Sequence, residues 1–131
     1  MNWAFLPFRK YAVFHGRARR KEYWLFTLFI VLVSIALTGL IAGLAGFEAF
    51  AAGELTGPAL AGQGVYYVFQ LAILLPSLAV TVRRLHDIGK SGWWLLIVLV
   101  PLVGALVLLF FTIQDSQDRR NRHGPNPKAD E

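Results

Sequence analysis

Three long runs without a formal charge most constrain how this chain can fold. They cover residues 23–47, 55–82 and 91–114, and are 25, 28 and 24 residues long. A helix rising 1.5 Å per residue needs about 20 apolar residues to cross roughly 30 Å of hydrocarbon, so each run is long enough for one crossing. Residues 25–33 also lack a polar face at helical spacing, which is expected of a helix surrounded by lipid or protein.

The composition favours a membrane protein over a soluble domain. Of the 131 residues, 56% are apolar and 16% are charged, whereas a soluble domain has roughly 25% charged residues. The apolar content excludes a disordered chain, and the lack of cysteine excludes a disulfide-stapled scaffold. The sequence therefore predicts an all-α, small polytopic membrane protein with about three transmembrane helices, folded as a single membrane domain over residues 1–131.

Turn-forming residues divide the second run. They are Gly57, Pro58, Gly62 and Gly64. Because glycine and proline mark loops, they predict a loop over 48–64 and a second span over 65–84 that begins near Val65. Pro76 lies inside that span, where neighbouring groups can satisfy the freed carbonyl, so a kink is expected and a break is not required.

The third run has Pro101 and Gly104 near its middle, and two interpretations remain open. A straight or kinked crossing over 93–114 is favoured, because lipid-exposed irregular backbone is costly. The alternative is a re-entrant hairpin of two half-helices. The predicted spans are thus 23–47, 65–84 and 93–114, joined and flanked by segments 1–22, 48–64, 85–92 and 115–131.

The lysines and arginines predict the orientation. Six precede the first span, at Arg9, Lys10, Arg17, Arg19, Arg20 and Lys21. Loop 48–64 has only acidic charges, so the positive-inside rule places the N-terminus and loop 85–92 in the cytoplasm. Three full crossings would place the basic tail 115–131 outside, against the same rule. This disagreement is the best argument for the hairpin.

The first residues are aromatic and basic. Trp3, Phe5 and Phe8 precede Arg9 and Lys10, a pattern that predicts a short interfacial segment with its rings at headgroup depth. The alternative is a frayed, solvated terminus. Both interpretations stay open.

A cationic and aromatic group follows the second span. Its members are Arg83, Arg84, Lys90, Trp93 and Trp94. Guanidinium groups suit bidentate phosphate contacts and tryptophans mark the interface, so this group is predicted to bind anionic lipid headgroups. Asp87 could hold Arg83 at i,i+4 and Arg84 at i,i+3. The competing interpretation is a well-anchored cytoplasmic turn formed by Gly89 and Gly92.

The first span carries small residues at helical spacing. They are Ala36, Gly39, Gly43 and Gly46. Gly39 and Gly43 form a G-x-x-x-G pair, which lets a second helix approach closely, so these residues are predicted to form a helix-packing face. The alternative is that small residues are simply common in membrane spans.

Known catalytic and metal-binding patterns are absent from the sequence. His15, His86 and His123 lack metal-ligand spacing, and residues 89–91 lack the upstream glycine of a phosphate-binding loop. We therefore expect no enzyme activity, no cofactor and no metal. The net charge of +5 resides in segments that flank the spans, so anionic lipid rather than nucleic acid is the expected partner.

Three blocks together resemble a known family. They are FHGRARRKEYW at 14–24, RLHDIGKSGWW at 84–94 and NRHGPNP at 121–127. They look like the signature blocks of a bacterial inner-membrane family called domain of unknown function 805, and the similarity runs from about Tyr11 to Pro127. His15 and His123 depart from it, standing where a small polar and an aromatic residue are expected. The resemblance implies a multi-pass bacterial inner-membrane protein and supplies no activity or catalytic residue.

Two classes of function remain. The favoured one is a structural, accessory or interaction subunit with anionic-lipid contacts, in a homo-oligomer or larger membrane complex, because the small-residue face suits a partner helix. The alternative is a small transporter or channel component acting as an oligomer. Such proteins normally place ionisable groups inside the membrane, and the runs offer only Ser34, Thr38 and Gln70 as notable polar groups.

Overall fold

The computed structural model describes residues 2–129, in which every regular element is a helix. Helix α1 covers Leu6–Arg9, α2 Arg20–Ala45, α3 Phe47–Ala51 and α4 Gly57–Asp87, followed by a 3₁₀ helix at Gly92–Leu99 and by α5 at Val103–Ile113. The predicted all-α fold is confirmed. The predicted end segments 1–22 and 115–131 include Met1, Asp130 and Glu131, which lie outside the described residues.

The described residues form two compact units. The first contains residues 2–27 and 75–129, and the second contains residues 28–74. Helices α2 and α4 are long and apolar enough to cross a membrane. With 26 and 31 residues, they extend about 39 and 47 Å, more than the roughly 30 Å of hydrocarbon. With the shorter apolar α5, they make this a small membrane protein of about three helices.

Helix α4 begins at Gly57, so the predicted start near Val65 is wrong. The Thr56 hydroxyl accepts a hydrogen bond from the Ala59 amide at 3.2 Å, which caps the first turn. Pro58 occupies that turn, where the missing N–H costs nothing. The turn-forming residues therefore mark a helix start rather than a loop. The helix continues unbroken through Pro76, as predicted.

In the second unit, one glycine allows close packing and another ends a helix. A Cβ on Gly62 would lie 2.7 Å from Cγ2 of Ile41, so only glycine fits against that side chain. Gly46 has φ +85° and follows the last residue of α2. The first helix therefore ends before the predicted boundary at residue 47, because the backbone at Gly46 takes a left-handed conformation that favours glycine.

The third apolar run folds back on itself, so the favoured straight or kinked crossing is wrong. The Trp94 and Phe111 rings meet at 5.4 Å, whereas a continuous helix would separate those positions by about 26 Å. The reversal lies between the 3₁₀ helix and α5, at Leu102, whose φ is +61°. A Cβ on Gly104 would lie 1.6 Å from the Ile97 carbonyl oxygen, so glycine is needed where the two arms touch. The arrangement is the hairpin of two half-helices.

The first unit has a small core around the N-terminal segment. Pro7 of α1 is buried, and the Phe8 ring packs edge-on against Phe26 of α2 at 5.3 Å. The Arg19 guanidinium lies 4.5 Å from the centre of the Trp3 ring. The start of the described chain is therefore folded against its own unit. Of the two interpretations left open, the frayed, solvated terminus is wrong, and the interfacial segment stays a prediction.

Candidate functional site

Besides Arg19, five charged side chains are buried in the first unit, and these five form ion pairs among themselves. They are Arg17, Glu22, Arg83, Arg84 and Asp87, named here the charge cluster. The last three are 0% exposed. They come from the segment before α2, the first turn of α2 and the last turns of α4. Charged groups are rarely buried unless they are paired, so each one needs a partner in the fold.

Asp87 is the centre of the charge cluster. Its Oδ1 accepts a hydrogen bond from Arg17 Nε at 2.9 Å, and its Oδ2 accepts bonds from Arg84 Nη1 and the Ser116 hydroxyl. The predicted i,i+3 pair with Arg84 is therefore present. One carboxylate thus joins the N-terminal segment, α4 and the tail after α5.

Arg17 uses all the donors of its guanidinium group. Besides Asp87 Oδ1, it reaches the carbonyl oxygens of Asp87 at 3.2 Å, Gln117 at 2.7 Å, Arg119 at 3.0 Å and Gly124 at 3.3 Å. A guanidinium group has five N–H donors, and each has an acceptor here. The tail is therefore fastened to the N-terminal segment through a side chain that the lipid-binding prediction did not include.

Arg84 makes the equivalent connection to the end of the hairpin. Its Nε donates to the Thr112 carbonyl oxygen at 3.1 Å, and Nη1 donates to that of Ala18 at 3.2 Å. Its Nη2 donates to the carbonyl oxygen of Gln114. The last turn of α5 is thereby held against the last turns of α4. The hairpin therefore begins and ends beside the C-terminal end of α4.

Arg83 pairs with Glu22 rather than with Asp87, so the predicted i,i+4 pair is wrong. Glu22 stands in the first turn of α2, and the Ala18 amide donates to the Arg83 carbonyl oxygen at 2.9 Å. These contacts draw Arg83 toward the start of α2, away from Asp87. Its Nε and Nη2 atoms are buried without a hydrogen-bond partner among residues 2–129.

A second, partly exposed layer surrounds the charge cluster. The His86 and His123 rings stack with centroids 3.8 Å apart, and His86 Nδ1 lies 3.0 Å from the Gly16 carbonyl oxygen. Asp115 forms ion pairs with Arg20 at 3.4 Å and with Lys128. The hydrogen bond from Lys128, the largest cause, lowers the pKa of the Asp115 carboxyl below its ordinary value. These contacts add charge pairing at the exposed end of the same unit.

The predicted lipid-binding group is divided by the fold. Arg83 and Arg84 are buried in the charge cluster, so in this structure their guanidinium groups do not face lipid headgroups. Lys90 lies 5.6 Å from the centre of the Trp94 ring, and Trp93 is 78% exposed. The lipid-headgroup prediction must therefore be narrowed to Lys90, Trp93 and Trp94, for which it stays a prediction.

The predicted helix-packing residues are also divided. Ala36, Gly39 and Gly43 lie exposed on α2, and a Cβ on either glycine would meet nothing within 4 Å. Gly46 lies beyond the end of α2, so its assignment to a helix face is wrong. Among residues 2–129, no other element therefore packs closely against Gly39 or Gly43.

The geometry defines a class of protein, a small helical membrane protein whose N-terminal segment, interhelical turn and tail are fastened together by buried arginines. The family described as "Protein of unknown function (DUF805)" matches residues 11–125, and the chain belongs to this family. The resemblance of the three sequence blocks is confirmed. They contain or adjoin every residue of the charge cluster.

Curated relatives support the membrane assignment. Inner membrane protein YhaH of Escherichia coli (strain K12) is 37% identical over 131 residues, covering 99% of each chain. Inner membrane protein YhaI of the same organism is 40% identical over 128 residues, covering 98% of this chain and 97% of the relative. No solved structure matches the chain. The chain is an integral membrane protein whose relatives are named for the inner membrane.

Proposed function

We propose that the chain is a structural or accessory subunit of the inner membrane, which binds a partner helix through α2 and anionic lipid through its cytoplasmic end. One contrast carries this proposal. The buried charges are used to fasten the chain to itself, whereas the small-residue face of α2 is open. An open face of this kind suits close approach by an apolar helix.

The topology that fits this role has two full crossings and one re-entrant hairpin. The 3₁₀ helix has 8 residues and α5 has 11, so each arm is about 16 Å long, half of the hydrocarbon thickness. A hairpin of this depth returns the tail to the side of the turn after α4. The N-terminal segment, that turn and the tail then all lie in the cytoplasm, which agrees with the positive-inside rule.

Single cysteines test this topology, because the chain has none of its own. An impermeant maleimide applied from outside is expected to label Ala51→Cys and to leave Ser91→Cys and Ala129→Cys unlabelled until the membrane is opened. Three full crossings would instead expose the cysteine at position 129 to the reagent. Labelling of that position in intact cells would contradict the re-entrant hairpin.

The partner-helix proposal predicts that bulk on the open face of α2 weakens association. With a crosslinking cysteine at Ala36, Gly43→Ile should lower the yield of crosslinked complex about 5- to 150-fold, the range that corresponds to roughly 1–3 kcal/mol of overpacking. The complex contains either a second copy or another membrane protein, and mass spectrometry of the product distinguishes them.

Gly64→Ile is the matched control for this experiment. Gly64 is a helical glycine of α4 that is also exposed and has nothing within 4 Å of an added Cβ. It should leave both crosslinking and membrane insertion unchanged. Equal yields of crosslinked complex with and without Gly43→Ile would contradict the proposal that the small-residue face of α2 binds a partner helix.

The lipid contact is proposed at Lys90, Trp93 and Trp94, the members of the predicted lipid-binding group that lie outside the charge cluster. Lys90 lies next to the Trp94 and Phe111 rings, at 5.6 and 5.4 Å from their centres. A cation held beside aromatic rings at headgroup depth attracts anionic lipid with about 1 kcal/mol. In this proposal Arg83 and Arg84 support that surface from inside the fold.

A further inference from the structure

Two stacked histidine rings join the tail to the end of α4. The planes of His86 and His123 differ by 3°, and their centroids are 3.8 Å apart. Arg122 Nε donates a hydrogen bond to His123 Nε2 at 3.0 Å. A nitrogen that accepts a hydrogen bond has no proton, so His123 is neutral in this arrangement.

The charged groups that act on His123 oppose a positive charge on its ring. They are Arg122 of the tail, Arg17 of the N-terminal segment and the facing His86 ring of α4. The carboxylate of Asp87, the residue that follows His86 in the chain, is already engaged by Arg17 and Arg84. Partial burial, followed by these neighbouring charges, lowers the pKa of His123 below its ordinary value of 6.5.

The stacked pair holds a defined piece of the tail. Asn121 Nδ2 donates to the His86 carbonyl oxygen at 2.9 Å, and the Gly124 carbonyl oxygen accepts from Arg17 Nη1 at 3.3 Å. Asn121 and Gly124 also exchange two backbone hydrogen bonds of 3.1 Å. Residues 121–124 thus form a small closed turn that rests on the end of α4 through the ring of His123.

We propose that His86 and His123 form an acid-sensitive latch that holds tail residues 121–124 on the end of α4 and releases them when the ring of His123 is protonated. A proton on His123 Nε2 removes the acceptor of the Arg122 hydrogen bond. It also places a positive charge between cationic neighbours. Because the folded arrangement favours the neutral ring, the contact is complete above pH 6.5 and weakens as the pH falls below that value. This regulation does not depend on the proposed partner helix.

Hydrogen exchange of the full chain in lipid nanodiscs tests the latch. Exchange of the tail is compared at about pH 7.5 and about pH 5.5, roughly one unit either side of the ordinary histidine pKa, after correction for intrinsic rates. Protection of residues 121–124 should fall about fivefold at the lower pH. That factor corresponds to roughly 1 kcal/mol for two like charges about 4 Å apart in water.

Two variants separate the latch from a general effect of acid. His123→Phe keeps a flat ring that can stack on His86 but cannot be protonated, so tail protection should be equal at both pH values. His15→Phe removes the exposed histidine outside the pair and should keep the native pH dependence. Protection of α4 in each variant reports whether the unit is folded.

Three results would overturn the proposal. One is tail protection in the native chain that is the same at both pH values. Another is a loss of tail protection at the lower pH in His123→Phe that is as large as in the native chain. An NMR titration of the native His123 ring gives the third, independent of whether any variant folds. Its midpoint must coincide with the loss of tail protection, and a midpoint outside that pH range contradicts the latch.

Discussion

Asp87→Asn is expected to destabilise the first unit by about 3–5 kcal/mol, the range seen when one partner of a buried ion pair is removed. Asp87 is 0% exposed and lies between the guanidinium groups of Arg17 and Arg84. The amide of asparagine keeps the shape but carries no charge, and its NH₂ group is a donor facing other donors. Unfolding of the purified protein in detergent, followed by tryptophan fluorescence, measures the change.

Asp115→Asn is the control for this variant. Asp115 also pairs with two cations, Arg20 and Lys128, but its side chain is 59% exposed. Exposed ion pairs contribute about 0–1 kcal/mol, so this variant should unfold almost as the native chain does. If the two variants lost the same stability, the buried position of Asp87 would not matter, and the charge cluster would not fasten the unit.

The membrane helices could be predicted from the sequence because a physical length defines them. A charge is costly in hydrocarbon, so a gap of about 20 residues between charges indicates a segment that lies in the membrane, as for α2 and α4, although it does not tell a single crossing from a hairpin. The argument from turn-forming residues failed at Gly57, because glycine and proline are weak signals in the first turn of a helix. There the side chain of Thr56 and the position of Pro58 decide the conformation.

The hairpin could be recognised only in part. Pro101 and Gly104 allowed a reversal, and the basic tail argued for one, but length alone favoured a single crossing. The decisive contact is between Gly104 and the Ile97 backbone, seven residues apart, which occurs only after the chain has reversed. A local hydrophobic pattern does not encode that reversal, because both arms are apolar throughout.

The charge cluster could not be paired correctly from spacing within a helix. Spacing predicted that Asp87 pairs with both Arg83 and Arg84. In the fold, Asp87 pairs with Arg84 and with Arg17, which is 70 positions away in the sequence. Arg83 instead pairs with Glu22, which is 61 positions away. The available signal was the concentration of both charge signs in otherwise apolar sequence blocks. That signal indicates that partners exist, but not which ones, because the pairing depends on tertiary packing.

Gly104→Ala is expected to destabilise the hairpin by roughly 3 kcal/mol or more, because the added Cβ meets backbone rather than a flexible side chain. The Cβ would lie 1.6 Å from the Ile97 carbonyl oxygen and 2.6 Å from its carbon. The two arms must separate, so a short crosslinker between cysteines at Trp94 and Phe111 should react well in the parent protein and poorly in the variant.

Gly39→Ala is the control for this variant, because its Cβ meets nothing within 4 Å. Replacing a helical glycine with alanine stabilises a helix by about 0.5–1 kcal/mol. Efficient crosslinking in Gly104→Ala would mean that the arms do not depend on this close approach, and the re-entrant hairpin would lose its main structural reason.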